Sequence, residues 1–167
     1  MRHIISILLQ NEAGALARVA SMFSTRGYNI ESLSVAPTES ADVSRLTLVT
    51  IGSDQVISQI NKQLLKMVDV VNMADMTLGD HIERELALVK LRLEPEQVAE
   101  MRQLCEQEGG RLLDDSADNF TMELTGAANL VDEFIDRLVG RADILAVVRS
   151  GPLAIARGQQ VLSSAVI

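Results

Sequence analysis

The hydrophobic pattern opens with a short β-branched and leucine run, Ile4 to Leu9, of strand length and too short for a helix. It breaks at the polar turn Gln10-Asn11-Glu12-Ala13-Gly14. Leu16, Val19, Ala20 and Phe23 then follow at i, i+3, i+4 and i+7, which predicts an amphipathic helix with one apolar stripe. Gly27 stands where a left-handed residue closes a helix. A strand is predicted over Ile30 to Val35, stopped by Pro37, and a second over Val43 to Ile51, closed by Gly52. Ser53 is placed to cap a helix carrying Val56, Ile57, Ile60 and Leu64 on one face. Val68 to Met76 reads as the next strand. The order to this point is βαββαβ.

The pattern lapses around Leu78-Gly79-Asp80-His81 and then begins again. Leu86 to Leu93 predicts a strand. Pro95 suits the first turn of a helix with Val98, Met101 and Cys105 that ends at Gly109-Gly110. Arg111 to Asp114 and Phe120 to Thr125 read as two strands joined by the turn Asp115-Ser116-Ala117-Asp118-Asn119. Thr125 is placed to cap a helix with Leu130, Phe134 and Leu138, closed by Gly140, and Ile144 to Ser150 is the last strand. This is a second βαββαβ unit, a repeat of architecture with little shared sequence. The fold class expected is α+β: two ferredoxin-like sandwiches in tandem, each an antiparallel four-stranded sheet under two helices. The boundaries expected are 1–78, a linker over 79–83, and 84–167 with a C-terminal tail. Each sheet has a bare face or edge to cover, for which self-association is the usual solution, so at least a dimer is expected.

Composition narrows the function classes. Hydrophobic residues make up 47% of the 167, enough for packed cores, but aromatics only 2%, so the cores must be aliphatic. The formal net charge of -8 opposes binding to phosphate backbones, so no nucleic-acid role is expected. No stretch reaches the roughly 20 apolar residues of a membrane span, and the N-terminal run lacks a signal-peptide pattern. A cytoplasmic protein is expected. Cys105 is the single cysteine, which excludes an internal disulfide.

A catalytic constellation is not found. His3 and His81 read as surface or packing residues, and Cys105 lies on an apolar helix stripe. No nucleophile elbow, P-loop or GxGxxG is present. Asp114, Asp115 and Asp118 share a turn in which a weak divalent-ion site is conceivable, though such turns are usually only turns. Arg149 and Arg157 are candidates for an anion. No catalytic residue and no metal ligand is assigned. The turn Asn11 to Leu16 is different: it joins a strand end to a helix N-terminus, where unpaired N–H groups and the helix dipole favour a carboxylate without a cationic side chain. Gly14 permits close backbone approach, Asn11 supplies a donor and an acceptor, and Asn29 offers a second amide. Read alone, such a turn also caps helices in many proteins.

These same residues carry a resemblance. Leu8-Leu9-Gln10-Asn11-Glu12-Ala13-Gly14-Ala15-Leu16-Ala17-Arg18-Val19, then Phe23, and Arg26-Gly27-Tyr28-Asn29-Ile30-Glu31-Ser32-Leu33 closely resemble the small regulatory subunit of acetohydroxyacid synthase (acetolactate synthase). The likeness continues through Ser44-Arg45-Leu46-Thr47, Gln63-Leu64-Leu65-Lys66, Val68-Asp69-Val70 and Arg84-Glu85-Leu86-Ala87-Leu88-Val89-Lys90. Arg149-Ser150-Gly151 and Ala156-Arg157-Gly158 also fit. The resemblance implies that the first unit is an ACT domain, an amino-acid-sensing form of the ferredoxin-like fold. It implies a homodimer in which paired ACT domains hold valine at their interface. Asn11, Gly14, Ala15 and Leu16 match the family's ligand loop, and Asn29 and Ile30 match positions reaching the ligand from the facing protomer. The chain is then expected to be non-catalytic, to bind the catalytic large subunit, raise its activity and make it sensitive to valine in branched-chain amino-acid biosynthesis. Thiamine diphosphate, Mg²⁺ and FAD are expected in that partner and none in this chain. Many relatives carry Ser or Pro where this chain has Ala13, and Ser where it has Ala17. Three other functions are compatible with this fold: another ACT-type amino-acid sensor, a small ferredoxin-like hydrolase, and a nucleic-acid module. The hydrolase wants an arginine positioned in the anion loop. The nucleic-acid module wants sheet aromatics and basic charge.

Overall fold

The computed structural model describes residues 1–158 and 161–163. These form two compact units, Met1–Ile82 joined by the described residues from Leu153 on, and Glu83–Pro152. Residues 159–160 and 164–167 of the expected tail lie outside the described residues.

In the first unit β1 (Arg2–Gln10), α1 (Ala15–Thr25), β2 (Ser32–Pro37), β3 (Val43–Ile51), α2 (Asp54–Leu64) and β4 (Val70–Asp75) follow in the expected order. The antiparallel sheet runs β2-β3-β1-β4. Its helix-facing residues follow the period of two: Ile5, Ile7, Leu9, Leu46 and Leu48 pack against Val19, Phe23, Ile57, Ile60 and Leu64. Ser53 caps α2 through its Val56 N–H, as its position predicts. Gly27 takes φ +70 just past the end of α1. β4 is shorter than the run Val68 to Met76. Val68 stands outside it, 83% exposed, and Met76 opens a 3-10 turn capped by the Asp75 carboxylate on the Thr77 N–H. His3 is the packing residue expected: it is buried, 3.8 Å from the Asp54 and Asp75 carboxylates.

The outer face of this sheet is covered, but not in the way anticipated from the pattern. Ile4, Ser6, Leu8, Thr47 and Val49 point away from the helices and are nonetheless buried. Among the described residues, a further strand that the sequence did not suggest, β9 (Leu153–Ala156), packs Ala154 and Ala156 against Ile4, Val49 and Met76. Beyond it, Arg45 bridges the Ser6 hydroxyl and the Leu162 carbonyl, and the Asn72 amide donates to the Ser163 carbonyl. The Arg157 N–H donates to the Asp80 carbonyl, and its guanidinium pairs with the Asp80 carboxylate at 3.1 Å. The segment after Pro152, expected as a tail of the second domain, thus belongs to the first. An alternation of Ala and larger apolar residues in Leu153 to Ala156 suits a strand laid on an apolar sheet face.

The second unit contains β5 (His81–Arg92), α3 (Val98–Gln107), β6 (Arg111–Asp114), β7 (Phe120–Gly126), α4 (Ala128–Leu138) and β8 (Asp143–Arg149). Its sheet runs β6-β7-β5-β8. β5 begins at His81, inside the stretch expected as linker, because alternation already starts at His81-Ile82-Glu83-Arg84. The α4 expectation needs two corrections. Thr125 lies in β7 and Ala127 is the N-cap, with no side-chain bond. With the helix starting at Ala128, the inner stripe is Val131, Phe134 and Leu138, leaving Leu130 54% exposed. Gly110 is the glycine that packing demands here. A Cβ there would lie 2.9 Å from the Cys105 sulfur and 3.0 Å from the Cys105 carbonyl oxygen. Cys105 is 1% exposed and burial raises its thiol pKa. We expect this thiol to ignore a small disulfide reagent in native protein and to react stoichiometrically in urea; rapid native reaction would mean that the α3 face opens.

Candidate functional site

The site grows from the way β1 ends. Gln10 and Asn11 leave the sheet with their N–H groups on the Asp69 and Asp42 carbonyls, and Glu12 folds back on Gln10. Gly14 becomes the N-cap of α1 at φ 87, ψ -11. That left-handed conformation costs an L side chain about 1–2 kcal/mol and suits glycine. Its carbonyl accepts the Arg18 N–H at 2.9 Å, and no side chain caps the helix. The Ala15 N–H is already spent on the Glu12 carbonyl at 3.2 Å, so Ala15 is not one of the free donors expected of the loop. Among the described residues, the Leu16 and Ala17 N–H groups are left without an acceptor at the positive end of the helix. Asn11 is exposed; its amide nitrogen donates to the Ala41 carbonyl at 2.9 Å, leaving its carbonyl oxygen as the open acceptor.

Asn29 and Ile30 lie elsewhere. The Asn29 side-chain amide donates to Glu31, and the Asn29 backbone carbonyl accepts the Thr50 hydroxyl at 2.6 Å. Ile30 is half-buried against the first core. Thr50 sits at one end of β3, opposite His3, while Val43 at the other end adjoins Gln10. Seven residues of strand, about 23 Å, therefore separate the Asn29–Ile30 corner from the Asn11–Gly14 loop. One chain does not bring the predicted residues together.

The residue the sequence reading passed over is Arg18. Its Nε and Nη2 grip both oxygens of Asp69 at 2.7 and 2.6 Å, a bidentate pair with the Asp69 carboxylate 4% exposed and the Arg18 side chain 50% exposed. Hydrogen bonding to Arg18 lowers the Asp69 pKa, and the same bonds raise that of Arg18. A Cβ on Gly14 would fall 2.8 Å from Arg18 Nη1, so the guanidinium stands over the glycine. A cation one turn into a helix that opens on an anion-type loop was the available signal; its partner, 51 residues away, was not readable.

Of the other candidates, Asp114, Asp115, Arg149 and Arg157 are engaged by the protein itself. Asp114 accepts from the Ser116 N–H and hydroxyl, which lowers its pKa, and Asp115 pairs with Arg102. Arg149 lies between Glu85 and Asp132, and Arg157 is held by Asp80. His81 Nδ1 sits 3.0 Å from the Gly79 carbonyl oxygen. Among the described residues, no helix is long and apolar enough to cross a membrane.

Known proteins resemble the chain throughout its length. Residues 5–72 match the model of an AHAS small subunit-like ACT domain, and residues 84–158 the model of a small subunit of acetolactate synthase. The acetolactate synthase isozyme 3 small subunit of Salmonella typhimurium is 42% identical over 97% of this chain and 99% of its own. A probable acetolactate synthase small subunit of Archaeoglobus fulgidus is 40% identical over 96% of this chain and 99% of its own. The crystal structure of the acetolactate synthase small subunit from Thermotoga maritima superposes with a TM-score of 0.85 at 34% identity, covering 96% of this chain and 99% of that one. With both units matched in order and the loop after β1 inside the first match, this chain belongs to the acetolactate synthase small-subunit family.

Proposed function

We propose that the chain is the regulatory, non-catalytic subunit of a cytoplasmic acetolactate synthase, and that it senses valine between two copies of its first unit. The observation that carries this reading is the Gly14 N-cap. It presents free Leu16 and Ala17 N–H groups and the Asn11 carbonyl oxygen to a carboxylate and an ammonium arriving together. The distance between this loop and the Asn29–Ile30 corner supports a site shared by two protomers, each giving one half. The catalytic large subunit supplies thiamine diphosphate, Mg²⁺ and FAD; this chain raises its activity and confers feedback inhibition. Valine acts only through its differential affinity for two arrangements of the complex, typically about 1–3 kcal/mol.

Calorimetric titration of the full chain with valine, leucine and isoleucine tests the reading. Saturable binding strongest for valine and lost in Asn11→Ala is expected; binding strongest for another amino acid would make the chain an ACT-type sensor of that effector. Gly14→Asp puts a carboxylate where the ligand's own belongs, beneath Arg18 and in a strained conformation. Its complex with the catalytic subunit is expected to stay active and ignore valine. Full inhibition retained in that variant would move the site elsewhere.

A further inference from the structure

We infer that Arg18 is the carboxylate-recognising residue of this effector site and that Asp69 is the positioning residue that aims it, an assignment resting on the functional reading above. Asp69 touches both sides of the loop: its carbonyl accepts the Gln10 N–H at the end of β1, and its carboxylate holds Arg18 on the first turns of α1. Two of the three guanidinium nitrogens are thereby fixed. The third, Nη1, has no hydrogen-bond partner among the described residues, lies over the bare Cα of Gly14, and belongs to a side chain half open to water. A planar fork anchored on one carboxylate with a free N–H edge is arranged to receive a second carboxylate. The donors on offer are then two backbone N–H groups and one cation. Such a set selects an α-amino acid over its neutral amide. It also gives Gly14 a second reason to be glycine, since any Cβ would intrude on the guanidinium. Glu12, in the same loop, adds its negative field to that of Asp69 at Arg18.

The test compares L-valine with L-valinamide, which keeps the side chain and the amine but lacks the carboxylate. Titrations are made on the full chain and on its complex with the catalytic subunit. Native protein is expected to prefer valine by at least about tenfold, the scale of one hydrogen bond to a charged group. Arg18→Lys keeps the charge beside Asp69 but has no second nitrogen to spare. It should lose most of that preference while its Tm stays near the native value. Asp69→Asn, which frees the fork, should lose it in part, and Glu12→Gln, removing a competing carboxylate, should tighten valine. A purely structural Arg18 would lower Tm and leave the valine-to-valinamide ratio untouched. A native ratio in Arg18→Lys overturns the assignment and leaves the valine site standing. No valine binding to native chain or complex removes the valine site and this assignment with it.

Discussion

Phe134→Ala is expected to destabilise the second unit by about 3–5 kcal/mol, the usual range for emptying a buried phenylalanine site. Phe134 is wholly buried on the inner stripe of α4, in a core that also holds Leu91, Met101, Phe120, Met122, Val131 and Leu138. The chain is poor in aromatics, with three phenylalanines in all, and two of them fill this one core. An aliphatic core collapses incompletely around so large a void, because the flanking strands β5 and β7 are fixed by their ladder. Arg137, whose guanidinium lies 5.7 Å from the ring centroid, would lose its aromatic platform as well. Against a total stability of about 5–15 kcal/mol for a small domain, such a loss is a large share. Amide exchange at Ala87, Val89 and Met122 should accelerate accordingly, with a lower urea midpoint for the unit. Phe134→Leu should cost far less, since it keeps the apolar character and most of the volume. A loss below about 1 kcal/mol for the alanine variant would show that α4 closes onto the sheet and that the core is not close-packed.

What could be read in the sequence followed from periodicity, and what could not depended on distant partners. The β run of Val43 to Ile51, closed by Gly52, and the helical spacing of Val56 to Leu64 behind the Ser53 cap gave their elements to the residue or nearly so. Gly27 and Gly140 were legible as helix ends because an L side chain resists the φ they adopt. The start of α4 misled because Thr125 is a good cap by type, yet it continues the β7 alternation, so the cap moved to Ala127. The covering of the outer face was hidden for another reason. Ile4 and Leu8 sit among Ile5, Ile7 and Leu9 in a run apolar at nearly every position, the mark of a strand buried on both sides. That run predicted a cover without saying that residues 150 positions later would provide it. The loop at Asn11–Gly14 was found from its residue types. The Arg18–Asp69 pair that braces it was not, because ion-pair partners leave no periodic trace.

The second large effect is expected at the other buried ion pair. Glu85, at the point where β5 meets Gly126 of β7, has a side chain 1% exposed and accepts a hydrogen bond from Arg149 Nη2. Arg149 closes β8 and uses Nη1 on Asp132 of α4, so one guanidinium ties strand, strand and helix together. The adjoining Ser150 doubles the tie, exchanging hydrogen bonds with the backbone of Leu86. Arg149→Ala would leave the Glu85 carboxylate buried and uncompensated. Breaking a buried pair from one side costs about 3–5 kcal/mol, and the lower end applies because the Arg149 side chain stays 32% exposed. Arg149→Ala with Glu85→Gln should recover much of that loss, since the neutral amide no longer needs a cation. The difference between the double variant and the sum of the single ones isolates the coupling. Salt separates this pair from the surface ones. Raising ionic strength should weaken the contributions of Arg92–Asp143 and Arg102–Asp115, whose partners are all near half exposed or more, and leave that of Glu85–Arg149 nearly unchanged. If Arg149→Ala proved neutral at every salt concentration, water must reach Glu85, and the end of β8 would be held by Ser150 and the strand ladder alone.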